Sequence, residues 1–549
     1  MTRSSGISAL FLIGLAACSR GHKHDAAPPA TSAACTCPPS PPAAHFDPTA
    51  SPVNPAPSDA PMTVQLDAEP PNLMPSLHPD WMSHVIVAHL VEESLVRIDA
   101  QRGVLVPELA ESWSLDPSHT KWTFHLRPHV LWHDGVPFTS DDVVFTVERI
   151  ADPAVGAADR ALFAGAFARA SDPLTVSITF HAPLASPDVT FDRLLILARH
   201  RSPRGDLAES PDATAPVGTG PMKFSSWTRG AKIDLTRWDS YWGSKAPVSA
   251  LSFRFPPTYG RVIEELRSGE VDVVPRAPND AVTGVEKEAD LSAKYRVVRA
   301  AGTSYTAWVH DVASKKLSDA RVRRAIGLTV PRDRLRCEIE GCNVSIASGP
   351  LPEDHPSMAG IDPPKFDPAQ AKTLLDAAGI VDHDGDGMRE QDGVPFELQL
   401  IVPTTSSEQE RIASVVADEL RKIGVVLDVM PLEWSQFRRA LETHAFEIAA
   451  IEWTIDRDPD LFPLFHSTET AGSLNYGGYA DPDVDRALEE ARLFPDRKID
   501  LYRQVAERIR RDEPYTFLFS PLVVAITRKN TVNVTPTPMG WQPRAFGWQ

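Results

Sequence analysis

Apolar and polar positions follow two rhythms along this chain, and the rhythm changes from one segment to the next. Thr63 to Leu66 reads as a short strand, stopped by Pro70-Pro71. Trp122, Phe124 and Leu126 alternate with Thr123 and His125, the period-two pattern of a half-buried strand. Thr139 then opens a helix, with Asp142 in the capping-box position and Val143, Val144 and Val147 on its inner side. Asp367-Pro368 predicts another helix start, with Leu374, Leu375 and Ala378 at core spacing and Gly379 as its stop. Ser407 with Glu410 predicts a third, running through Val415, Val416 and Ile423 to Gly424. Val425 to Met430 and Phe446 to Trp453 read as buried strands flanking a helix around Phe437. Helix and strand signals that alternate from residue 62 onward predict an α/β class, and no repeat at a solenoid period interrupts them.

Composition narrows the function classes. The 549 residues hold 55 Lys and Arg against 73 Asp and Glu, a formal net charge of −18. At ~150 residues per domain the length predicts roughly two to four domains. An acidic chain without clustered Lys and Arg is not built to neutralise phosphates, so nucleic acid is excluded as a partner. No stretch approaches the ~20 apolar residues that span a bilayer.

The N-terminus reads as an address. Arg3 supplies a positive start, and Ala9 to Ala17 form a short apolar run before Cys18. That run suits a signal peptide over residues 1–17 and is too short for a transmembrane helix. Leu15-Ala16-Ala17-Cys18 resembles the bacterial lipobox, in which the cysteine is acylated; the alternative is a plain secretory signal with an incidental cysteine. Both readings export the protein. Residues 18–61 form a Pro- and Ala-rich tether without apolar periodicity. Cys35 and Cys37 lie within it, as do His22 and His24, which beside Asp25 offer at most a weak metal contact on a solvated linker.

Behind the tether, short strings follow one another at close spacing: Leu109-Ala110-Glu111-Ser112-Trp113, Trp122 to Arg127, His133-Asp134-Gly135 and Phe138 to Phe145. Pro216 to Pro221, Tyr241-Trp242-Gly243, Arg267 to Asp272, Ser318 to Arg323, and Asn475-Tyr476 before Asp481-Pro482 continue them. In this order they resemble the family 5 extracellular solute-binding proteins, the oligopeptide- and dipeptide-binding components of ABC importers. The resemblance runs from about residue 62 to 545. It implies a two-lobed, periplasmic-binding-protein-like α/β fold of type II, with the extra subdomain of peptide-binding members. The implied division places residues 62–98, 201–304 and 505–549 in the main part of lobe I, 99–200 in the extra subdomain and 305–504 in lobe II.

Beside the resemblance, most of these residues have structural reasons. His133-Asp134-Gly135 supplies a tight turn, and Gly218-Thr219-Gly220-Pro221 a sharp bend. His125, His129 and His133 have helical metal spacing, but strand alternation and Pro128 place them on a hairpin. Asp382, Asp384 and Asp386, with Gly387 and Glu390, imitate part of a calcium loop, yet the position of its bidentate Glu is Gly393; a solvated turn is the leading reading. Cys337 and Cys342 are candidates for a local disulfide in an exported chain.

The resemblance also implies where a ligand sits: between the lobes, near the strand that ends at Trp453. In peptide-binding members an Asp three residues after this Trp pairs with the peptide's α-amino group, and Asp456 has that spacing. A loop cap before Asp458-Pro459 is the alternative role of Asp456. Arg457 puts a positive charge beside the expected amine pocket, and the strand from Tyr305 leads into His310-Asp311 where an Asn is usual. Tyr305, Trp453, Asp456 and Arg457 are therefore the ligand-site candidates. The resulting expectation is a lipid-anchored, monomeric binding protein of the periplasm or cell envelope. It takes an oligopeptide or another small solute and delivers it to an ABC permease, with no catalytic residues and no cofactor. Nickel chelates, sugars and opines remain alternative ligands, and a non-transport sensor or chaperone an alternative role. An exported hydrolase is disfavoured, because no G-x-S-x-G or H-E-x-x-H motif is present. The ATP-binding loop G-x-x-x-x-G-K-[ST] is missing too.

Overall fold

The structure is a computed structural model that describes residues 57–548 except 77–79, 100–103, 158, 185, 202–209, 256–260, 340–341, 354, 456–458, 471–473, 495–496 and 535–545. Cys18 and the tether positions up to 56 lie outside the described residues. The chain divides into two compact units: the described part of His45–Ala300 with Val523–Gln549, and Ala301–Leu522. Among the described residues no helix is long and apolar enough to cross a membrane.

In the first unit Met62–Gln65 lies within a sheet. Val64 meets Phe253 of the parallel strand Ala250–Arg254 on one side and Val273 on the other. Lys232–Arg237 and then Met222–Thr228 extend that sheet in antiparallel fashion. Met62, Val64, Ile233, Leu235, Leu251 and Phe253 share one apolar cluster. A second sheet runs in the order Ala110–Leu115, Lys121–Leu126, Thr175–Thr179, Phe167–Asp172. The alternating Trp122, Phe124 and Leu126 are its buried face, and both rings meet Phe191 edge-on at 5.0 Å. Ser140–Ala151 is the helix predicted after Thr139: the Asp142 carboxylate accepts from the Thr139 N–H at 2.9 Å.

The glycines of the 216–221 bend permit a close approach that no other residue could make. A Cβ on Gly218 would lie 1.6 Å from the Val91 carbonyl oxygen, and one on Gly220 2.3 Å from that of Leu90. With no Cβ, the Gly220 N–H donates to Val91 O at 2.9 Å and the Met222 N–H to Leu90 O at 2.9 Å. His133 closes the clasp. Its Nδ1 accepts from the Gly218 N–H at 3.2 Å, and its Nε2–H donates to Gly220 O at 2.9 Å. Burial pushes His133 down to about 4, so it serves as a neutral imidazole.

The second unit carries strands in the order Val426–Leu432, Glu397–Pro403, Ile448–Thr454, Ser304–His310 and the first part of Tyr515–Arg528. The first three are parallel, joined by the helices Ser407–Arg421 and Trp434–Glu442. Alternation sorts the side chains into two cores. Leu400, Val402, Ile448 and Ala450 pack with Ile412, Ala413 and Val416 on one face. Tyr305, Ala307, Ala449, Ile451 and Trp453 pack with Phe437 and Leu441 on the other.

Two expectations need correction. Ser406, not Ser407, caps the third predicted helix. It holds the non-helical dihedrals (φ −122°, ψ 85°) and accepts from the Gln409 N–H at 3.4 Å, so Ser407 is already helical. The boundary expected at 505 also moves. Val505, Ala506 and Ile509 belong to the same cluster as Tyr305 and Trp453, so cutting the helix Lys498–Asp512 there would strip its apolar stripe from its core. The chain instead leaves the second unit after Leu522, within the strand Tyr515–Arg528. Cys337 and Cys342 are disulfide-bonded in this unit.

Candidate functional site

The strand that should end at the ligand is held on both sides. Ile448–Thr454 pairs antiparallel with Ser304–His310, with Trp453 opposite Tyr305. The Ile455 N–H donates to Thr303 O at 2.8 Å, which carries the pairing one residue further. Trp453 stacks on Tyr476 with centroids 6.0 Å apart and planes within 12°, and Tyr305 meets Phe517 edge-on at 5.4 Å. Trp453 is 7% exposed and Tyr305 2%, so the structure brings these two candidates together as core residues. Burial, with Tyr515 nearby, raises the Tyr305 hydroxyl pKa well above the usual phenol range, and among the described residues that hydroxyl has no hydrogen-bond partner.

Asp456 and Arg457, the other two candidates, lie outside the described residues. The chain on their far side is well fastened. The Tyr502 hydroxyl donates to Pro459 O at 2.9 Å, and Asp460 pairs with Arg492, whose guanidinium lies 3.6 Å from the Phe462 ring centroid. Asn475 is fully buried and bonds Tyr479 through both its amide and its carbonyl, which fixes the turn that presents Tyr476 to Trp453.

Residues 104–473 match the model of the bacterial extracellular solute-binding proteins, family 5 (middle). The chain belongs to that family. The oligopeptide-binding protein AppA of Bacillus subtilis is 27% identical over 470 residues, covering 82% of this chain and 84% of AppA. Among solved structures, HbpA2 from Haemophilus parasuis superposes with a TM-score of 0.79 at 21% identity, over 89% of this chain and 100% of HbpA2. NikZ from Campylobacter jejuni, in complex with Ni(L-His), superposes with a TM-score of 0.64 at 23% identity, over 88% of this chain and 99% of NikZ. These likenesses place the chain in the expected periplasmic-binding-protein-like α/β fold. Its family is one of solute-binding proteins, not of enzymes.

Other parts of this solute-binding protein read differently in three dimensions. In the acidic loop, Asp382, Asp384 and Glu390 bring carboxylate oxygens within 4.8 Å of one another, and Asp386 is not part of that group. The aspartates accept the loop's own amides: Asp382 those of Gly385 (2.7 Å) and Gly387 (3.0 Å), Asp386 that of Met388 (2.7 Å). Glu390 pairs with His383 at 2.9 Å. His310, singled out as a departure from the family pattern, is fully buried with Nε2 3.0 Å from the Thr516 hydroxyl; burial first, then Arg323, pushes it down to about 3. Sequence reasoning missed Tyr515 and the use of Tyr476 as a stacking partner. The aromatic alternation Tyr515, Phe517, Phe519 was the available signal.

Proposed function

We propose that this chain is the substrate-binding lipoprotein of an ABC importer and that it captures an oligopeptide for delivery to a membrane permease. The observation that carries the reading is the 27% identity with the oligopeptide-binding protein AppA over most of both chains. The strand end at Trp453 supports it, because both flanks of the 456–458 segment are anchored on the second unit. Asp456 is the proposed partner of the peptide's α-ammonium, Arg457 its charged neighbour, and Trp453 and Tyr305 the rigid bed beneath them. A carboxylate in a poorly hydrated site is costly until a cation meets it, which makes it a selector for an ammonium.

Acylation at Cys18 would anchor the protein to a membrane of the cell envelope, with residues up to 61 as the tether. The proposed protein works as a monomer and without a cofactor. Native mass spectrometry of the protein purified from the cells that make it tests the ligand class. A co-purified series of peptide masses is expected; a single metal chelate, sugar or opine would replace the peptide reading.

A further inference from the structure

The main chain enters and leaves the second unit at Ala301 and Leu522, and beside these exits its two ends are fastened to each other. A Cβ on Gly302 would lie 2.3 Å from the Pro521 carbonyl oxygen, so only glycine lets the two backbones pass this closely. The Ser520 hydroxyl donates to Ser304 O at 2.6 Å. Thr303, between Gly302 and Ser304, accepts from the Ile455 N–H at 2.8 Å, which sets this clasp beside the strand that carries Trp453. A third segment closes it. Val344–Ile346 pairs antiparallel with the outgoing strand, Val344 opposite Pro521 and Ile346 opposite Phe519. Asn343 O accepts from the Leu522 N–H at 2.9 Å.

That third segment is stapled at its root. Cys342, directly before Asn343, forms the disulfide with Cys337 of the helix Arg332–Glu338. The same helix grips the outgoing strand at another point, where the buried Arg332 guanidinium donates to Phe517 O at 2.7 and 2.9 Å. Cys342 has φ +65°, the left-handed region that a residue with a Cβ rarely adopts, and its N–H donates to Arg336 O at 3.1 Å. Such a backbone persists only where its surroundings over-determine it, and the disulfide is the covalent part of that constraint. A bridge that closes so short a loop restricts the unfolded chain little, which leaves the aim of Asn343 as its larger effect.

We propose that the Cys337–Cys342 disulfide is a redox-sensitive catch on the chain exits of the second unit. Intact, it holds Cys342 left-handed and aims the Asn343 carbonyl at Leu522. Reduced, Cys342 relaxes and the segment from Asn343 to Ile346 releases the outgoing strand. The reductant is a dithiol. Its thiolate attacks the sulfur of Cys342, which is half-buried where Cys337 is 8% exposed. The S–S bond breaks, and Cys337 leaves as a thiolate that takes up a proton. The second thiol of the dithiol then resolves the mixed disulfide, so Cys342 also ends as a thiol and the dithiol as a cyclic disulfide. Two electrons and two protons pass to the protein. The proposal holds whatever the ligand is.

The test is hydrogen exchange of the full chain, read by mass spectrometry on short peptic peptides, in the oxidised state and in dithiothreitol. Alkylation mapped to Cys337 and Cys342 confirms the state. Two amides report on the catch: Leu522, bound to Asn343 O, and Ala347, bound to Leu518 O. The strand Glu397–Pro403, paired on both sides, is the reference. On reduction, protection at Leu522 and Ala347 should fall by about tenfold more than at the reference, the mark of a local opening. The double variant Cys337→Ser, Cys342→Ser should show that loosened pattern with and without dithiothreitol. Unchanged protection at Leu522 on reduction, or a double variant that keeps the oxidised pattern, would overturn the inference. An equal loss at all three places would overturn it too, as would a double variant that fails to fold, since either makes the bridge a general staple rather than a local catch.

Discussion

Tyr305 and Trp453 stand directly opposite one another across the antiparallel pair of Ser304–His310 and Ile448–Thr454, and both are buried. Their rings are committed to the core, Trp453 against Tyr476 and Tyr305 against Phe517. Residues offered by the sequence as ligand contacts therefore act first as core residues that hold the end of this strand.

That role separates two substitutions. Trp453→Ala removes a large buried side chain and should cost ~3–5 kcal/mol of stability. Tyr305→Phe removes a buried hydroxyl that has no partner among the described residues, so its effect should stay within about 1 kcal/mol or be stabilising. Urea midpoints of the two variants check the contrast, and a Tyr305→Phe protein as unstable as Trp453→Ala would contradict it.

The clasp at Gly218 makes a similar contrast with Gly230. Gly218→Ala would drive a Cβ into the Val91 carbonyl, which is backbone and cannot swing away, so a loss of several kcal/mol or failure to fold is expected, at the upper end of single-residue effects. Gly230 has φ +72° and open space around it, so Gly230→Ala should cost only the strain of the left-handed backbone, about 1–2 kcal/mol. Thermal unfolding of both variants reads the difference.

Three buried histidines and the half-buried His84 give opposite pH dependences. Burial, with the charge of His89 adding to it, pushes His84 down to about 4; burial pushes His133 to about 4 and His310 to about 3. Because their folded values lie below the unfolded 6.5, the unfolded state takes up protons first, and stability falls as pH drops from 6.5 through 4 and 3. His89 runs the other way. Burial opposes its charge, but Glu108 at 2.9 Å and Asp192 at 3.4 Å outweigh that and raise it to about 10. Its contribution is fully present below pH 6.5 and is lost as pH rises through 10. Histidine resonances followed by NMR should show His84, His133 and His310 neutral above pH 5 and His89 still charged at pH 8. Titration of His133 or His310 near 6.5 would contradict this.

The Cys337–Cys342 disulfide closes a short loop, so its removal should cost about 2 kcal/mol, less than a long-loop bridge would. The stability of the Cys337→Ser, Cys342→Ser double variant against the oxidised protein measures it. No difference would mean that the local backbone already restricts the loop.

Local signals made much of the fold legible. Alternation at Trp122, Phe124 and Leu126, the Thr139–Asp142 box and the Gly379 and Gly424 stops each depend on neighbours in sequence, and each is where the pattern put it. Tertiary partnerships were not legible. Nothing near His133 announces that its ring joins Gly218 and Gly220, and an amphipathic helix over Lys498–Asp512 does not declare which core receives it. Adjacent Ser406 and Ser407 offer equal caps to a reader of sequence, and only the dihedrals choose. Position along the strand picked out Trp453 as a candidate, while its burial against Tyr476 depends on a contact distant in sequence.

The proposed capture of a peptide by its amino end turns on Asp456. Calorimetric titration of wild type and Asp456→Asn with a free peptide and its N-acetylated form tests it most directly. If the carboxylate meets the α-ammonium, the substitution should cost ~2–5 kcal/mol, roughly 30- to several-thousand-fold in affinity. Acetylation should then cost a similar amount in wild type and much less in Asp456→Asn, because both changes delete the same pairing. Losses that simply add across the four titrations would contradict the pairing and leave Asp456 as a loop cap.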